Sequence, residues 1–128
     1  MPKDCLLGDS LPLKNTDFNK FFLRSIVSLA DRCKFEVCGA ITDKKLHFFK
    51  NISPTPQQTF IVTPRDYVNI YPQIKVFFHS HCLGGATPSG FDILLSQELA
   101  RPFLIYSNIQ KNFSFYCPDA QKLIYFSL

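Results

Sequence analysis

The sequence predicts an α/β fold, a mixed β-sheet flanked by helices, from three observations. Segments with apolar residues at helical spacing alternate with short apolar runs that suit strands. Gly, Pro, Asn and Asp fall between these segments, where the chain must turn. The order along the chain is helix, strands, short helix, strand, helix, strands, which is the pattern of layered α/β domains. A length of 128 residues fits one domain spanning 1–128. With 46% hydrophobic and 19% charged residues, a packed core is expected and disorder is not.

Residues 1–15 read as an irregular lead-in, because Pro2, Gly8 and Pro12 interrupt any periodicity. Phe18, Phe21, Phe22, Ser25, Ile26 and Leu29 then recur at helical spacing, predicting a helix over about 17–31 with Asn15 or Thr16 as its N-cap. Residues 35–41 predict a short apolar strand carrying one acid, Glu36. Asp43, Lys44 and Lys45 suit a turn, and 46–50 its antiparallel partner. Beyond a loop marked by Pro54 and Pro56, residues 59–62 predict another strand. Thr63 and Pro64 form a helix start, cap followed by proline at the first helical position, and that helix must stop before Pro72. Residues 74–81 predict a strand, Gly84 and Gly85 a loop, and Ser89 the start of a helix reaching about Leu99. Residues 103–106, 113–116 and 123–126 predict three more strands.

The formal net charge is +4, but Lys and Arg are scattered and not gathered into the stripe that nucleic-acid binding needs. Cysteines at 5, 33, 38, 82 and 117 are odd in number and contain no CxxC pair, which argues against a disulfide framework and a structural zinc knuckle. There is no basic-then-apolar leader and no apolar run of bilayer length, so a cytoplasmic location without membrane contact is expected.

The chemistry is concentrated between His79 and Asp92. Residues two apart on a strand share a face, so His79 and His81 can converge on one metal ion, with Zn–N bonds of about 2.0–2.1 Å. A turn then reverses the chain, and Asp92, in the first turn of the next helix, can supply an oxygen. Two nitrogens and one oxygen leave the fourth tetrahedral position for water, as in a catalytic zinc site. Glu36, alone among apolar neighbours, is the candidate general base.

Glu36, followed at a distance by His79, Ser80, His81, Ser89 and Asp92, resembles the JAMM (MPN-plus) zinc metallopeptidase motif: Glu, a long gap, His-Ser/Thr-His, seven residues, Ser, two residues, Asp. Gly39, three residues after Glu36, also matches that family's glutamate strand. The resemblance spans residues 16 to 117 and is most similar to the compact prokaryotic and phage versions, including JAMM domains of phage tail-assembly proteins. It implies a JAMM/MPN layer architecture of cytidine-deaminase-like type and one catalytic zinc on His79, His81 and Asp92. It further implies that Glu36 acts as acid and base and that Ser89 helps hold the oxyanion. The implied substrates are a peptide or protein: a small protein tail, a ubiquitin-like modifier, a phage structural protein or a peptidoglycan stem peptide. A phage-encoded version would be virion-associated. The family usually has Pro after the second His; here it is Cys82, expected to face away from the metal and pack, with Ser80 limited to positioning.

Other readings remain. Ser89, Gly90, Phe91 and Asp92 also spell a capping box. His47 has no partner at ligand spacing and reads as an ordinary strand residue, and Cys38 as a small buried thiol. The alternative function is a non-catalytic binding or scaffold module, such as a tail-assembly component, on the same fold. A zinc deaminase is disfavoured because its H-x-E…P-C-x-x-C signature is missing.

Overall fold

In a computed structural model, which describes residues 19–43 and 45–128, six strands form one mixed sheet with helices on both faces. Helix α1 spans Lys20–Arg32. It begins where Asn19 accepts a hydrogen bond from the Phe21 N–H, so the cap lies later than the sequence suggests; Asn15, Thr16 and the 1–15 lead-in fall outside the described residues. Leu23, Ile26 and Ala30, at helical spacing, form its buried stripe.

Strands β1 (Cys38–Ile41), β2 (Leu46–Phe49) and β3 (Val76–His81) are followed by helix α2 (Gly90–Leu99) and strands β4 (Phe103–Ser107), β5 (Asn112–Cys117) and β6 (Lys122–Phe126). The spatial order is β2-β1-β3-β4-β5-β6, and only the β3–β4 pair is parallel. That pair needs a crossover, which α2 provides. No helix among the described residues is long and apolar enough to cross a membrane.

Three expectations are corrected. The strand expected over 35–41 begins only at Cys38, because the Val37 N–H donates to Ser80 Oγ (2.9 Å) and the Glu36 N–H to the Pro56 carbonyl (2.7 Å), outside the ladder. Residues 59–62 form no strand. The Asn51 side chain takes the ladder's place: its Oδ1 accepts from the Ile61 N–H and its Nδ2 donates to the Thr59 carbonyl, both at 3.1 Å. The helix expected from Thr63 is replaced by two 3-10 turns, Pro64–Asp66 and Tyr71–Gln73. Pro72 therefore lies inside the second turn, near its start, where a missing N–H costs nothing.

The sheet alternation divides the core in two. Val76 and Phe78 face α1 together with Leu104, Phe113 and Phe115. Phe77, Phe103, Ile105, Cys38 and Ala40 face the other way, under Phe60, Ile74, Leu95 and Leu99. Gly39 lies on the α1 side, where a Cβ would run into the His47 carbonyl and the Phe78 ring, so no larger residue fits. The C-terminal end of α2 is tied down by Tyr71, whose hydroxyl donates to the Leu99 carbonyl, and by Arg101, stacked 4.2 Å above the Tyr71 ring.

Candidate metal centre

His79 and His81 continue the alternation of β3 on the Phe77 side, at the carboxyl end of the strand. That end of a parallel pair, beside the crossover helix, is where open α/β sheets place ligands. Ser80 points to the opposite face and is buried; its Oγ accepts the Val37 N–H. The β1–β3 register pairs Cys38 with His79, and the Ser80 N–H to Val37 carbonyl bond (2.8 Å) extends it. Two residues earlier on that antiparallel path, Glu36 comes opposite His81. The Glu36 backbone is held on both sides, its carbonyl accepting from Asn51 Nδ2 at 2.9 Å.

Asp92 arrives from α2. Ser89 caps the helix, its Oγ accepting the Asp92 N–H (3.0 Å) while Asp92 Oδ2 accepts the Ser89 N–H (2.9 Å). The capping box thus forms and, in forming, fixes the carboxylate over the histidines.

His79 Nε2 lies 3.3 Å from His81 Nε2; Asp92 Oδ1 is 3.2 Å from the first and Asp92 Oδ2 3.2 Å from the second. Donor atoms about 2.0–2.1 Å from a tetrahedral ion are about 3.3–3.4 Å apart, which is the spacing of the two imidazole nitrogens, with a different Asp92 oxygen against each. The donor chemistry fits as well. His81 Nδ1 lies 2.8 Å from the Gly85 carbonyl, which can only accept, so Nδ1 carries a proton. In the neutral ring, His81 Nε2 then aims a lone pair at Asp92. Only a proton or a cation makes that arrangement favourable. Glu36 completes a second grouping: its carboxylate and the two imidazoles offer donor atoms all within 4.8 Å of one another.

His79 is 1% exposed and its Nδ1 has no hydrogen-bond partner among the described residues. Its ring is held by packing instead, with Phe60 4.4 Å away and Phe103 edge-on at 5.6 Å. An unpaired buried nitrogen costs about 1–3 kcal/mol. A leucine would avoid that cost, so the imidazole at this position is a poor choice for packing alone.

Burial pushes the Glu36 carboxyl up to about 7, with His81 pulling it down and Asp92 adding to the rise. Burial alone would raise the Asp92 carboxyl, but His79 and His81 outweigh it and hold it far below the usual carboxylate range. Burial lowers His79, whereas for His81 the bonds to Asp92 and Gly85 overcome burial and leave it raised. The two imidazoles therefore shift in opposite directions, the enclosed one down and the outer one up.

Of the residues singled out in the sequence, His79, His81 and Asp92 meet, Glu36 stands beside them, and Ser89 is exposed at the cap. Cys82 turns its thiol to the Gln57 carbonyl at 3.0 Å. His47 pairs with Ala40 within β1–β2, and Cys38 is buried. Phe60 and Gly85, which hold the two imidazoles, were not singled out; Gly85 sits in a loop and Phe60 in a segment misread as a strand.

A mixed α/β sheet with a buried cluster of two imidazoles and a carboxylate is the class that fold and site define. In fold, the chain is similar to the solution structure of protein DSY2949 from Desulfitobacterium hafniense, with a TM-score of 0.59 and 20% sequence identity over 85% of this chain and 88% of that one. That likeness is one of fold. No family model and no curated protein matches the chain.

Proposed function

We propose that the protein is a zinc-dependent hydrolase of JAMM type that cleaves a peptide or isopeptide bond. The observation that supports it most is the cluster of His79, His81 and Asp92, whose two Nε2 atoms lie 3.3 Å apart with an Asp92 oxygen 3.2 Å from each. His79, His81 and Asp92 would hold the ion. Zinc bound there supplies a Lewis acid that polarises a carbonyl and acidifies water to a pKa of about 7.

The chain's own groups supply the proton transfers. Glu36 is 5% exposed and its carboxyl, raised to about 7, can take a proton at neutral pH and return it to a leaving amine. Ser89 Oγ accepts the Asp92 N–H without using its own proton, which can donate to charge developing on the substrate carbonyl oxygen. Ser80 fixes the backbone next to Glu36 and is a positioning residue. The JAMM assignment rests on Glu36, His79, Ser80, His81, Ser89 and Asp92 in the family's order and spacing. Its substrates would be protein tails, ubiquitin-like modifiers, phage structural proteins or peptidoglycan stem peptides.

Zinc content and cleavage of a diverse peptide and isopeptide set, with and without chelator, test this reading. It requires about one zinc per chain, hydrolysis abolished by chelator and restored by zinc, and Glu36→Gln inactive with zinc retained. A chain that holds zinc and cleaves nothing would support the binding or scaffold alternative.

A further inference from the structure

A cavity of about 140 Å³ lies between the sheet and α2, separated from the histidines by one aromatic ring. Phe60 both lines this cavity and stacks on His79 at 4.4 Å, and Phe103 lines it while meeting His79 edge-on. Ile61 and Phe91, 46% and 54% exposed, are also part of its wall, so it opens to solvent on the side where α2 begins. Phe91 is the residue before Asp92, so one wall residue of the cavity is next in sequence to a member of the donor cluster.

The wall is mostly carbon. The Cys38 thiol spends its weak donor on the Phe49 carbonyl at 3.7 Å, and burial first, with the charges of Glu36 and Asp66, pushes it up to about 12, so it stays neutral. A polar side chain entering here would lose its water with little to replace it. Cavities of about 150 Å³ walled by Leu, Ile and Phe stay dry and accept benzene. Leu and Phe side chains are of that size.

We infer that this cavity is a specificity pocket for a leucine- or phenylalanine-sized apolar side chain of the peptide that occupies the candidate metal centre. The inference rests on the hydrolase reading for its choice of ligand. It adds a residue-level preference that the donor cluster alone does not give. Each buried methylene contributes a factor of about four, so Leu over Ala amounts to on the order of 50-fold.

The test is equilibrium binding of fluorescent octapeptides, each position in turn Leu, Phe, Ala or Asp, to zinc-loaded Glu36→Gln protein. One position is expected to favour Leu or Phe over Ala by about 50-fold and to reject Asp. Leu95→Phe, which fills the cavity, should abolish that preference, and Leu99→Ala, which enlarges it, should move the preference from Leu to Phe. If Leu95→Phe does not fold, the unfilled protein and Leu99→Ala decide. No binding, no apolar preference at any position, or a preference unchanged by the variants overturns the pocket. The selective binding pattern without hydrolysis by the unsubstituted protein leaves the pocket standing and defeats the hydrolase. Hydrolysis without apolar preference does the reverse.

Discussion

Asp92 has two jobs that one substitution can separate. Its carboxylate faces both imidazoles at 3.2 Å, and the same side chain accepts the Ser89 N–H at 2.9 Å in the capping box. Asn in its place keeps an oxygen for the Ser89 N–H and leaves the backbone bond to Ser89 Oγ untouched, so the helix start survives. What it loses is the anion, and Asp92 is ionised across the working range because the histidines hold it far below the usual carboxylate range. Outer-sphere groups around metal ligands are worth about 10–100-fold in affinity, so loss of a direct anionic ligand should weaken zinc by at least about 100-fold. Asp92→Ala also removes the return bond of the capping box, from the Ser89 N–H, costing about 1 kcal/mol more, a few degrees in melting temperature. Zinc competition against a chromophoric chelator reads the first effect, and thermal melting of chelator-treated protein reads the second. Asp92→Asn should melt near the unsubstituted protein and bind zinc at least about 100-fold more weakly. Zinc affinity within a few-fold of the original would refute the ligand role, leaving Asp92 as a helix cap only.

Gly39→Ala should destabilise by about 1–3 kcal/mol or more, seen in chemical denaturation, because its Cβ meets the His47 carbonyl and the Phe78 ring. Ser80→Ala leaves the buried Val37 N–H without its acceptor and should cost about 1–3 kcal/mol while lowering hydrolysis through displaced Glu36. The pH dependence follows from Glu36, whose folded pKa of about 7 lies above that of the unfolded chain. Between about pH 4.3 and 7 the folded state therefore binds more protons, and stability falls as pH rises through that window. With chelator present, the unsubstituted protein should lose stability relative to Glu36→Gln across this range; parallel curves would contradict the burial of Glu36.

Much of the fold was legible because its signals are local. The stripe of α1, the alternation that places His79 and His81 together, and the Ser89–Asp92 box each depend on neighbours within a few residues. The strands of the second half were read to within a residue or two for the same reason. The misreadings are where distant groups decide. Asn51 takes over the hydrogen bonds that would have made 59–62 a strand, and Ser80 takes the Val37 N–H that would have extended β1 to Glu36. Glu36 stood out as a lone acid and as the first residue of the motif, but its place beside His81 comes from a strand register formed with residues some forty positions later. The apolar cavity was invisible in the sequence, since its wall is assembled from the 60–67 segment, from α2 and from four strands.

Zinc K-edge X-ray absorption on the loaded protein tests the donor assignment most directly. His79, His81 and Asp92 predict a shell of nitrogen and oxygen at about 2.0–2.1 Å with two imidazoles and no sulfur. A zinc–sulfur distance of about 2.3 Å would place Cys82 or Cys38 on the ion and contradict the site, as would a protein that holds no zinc at all.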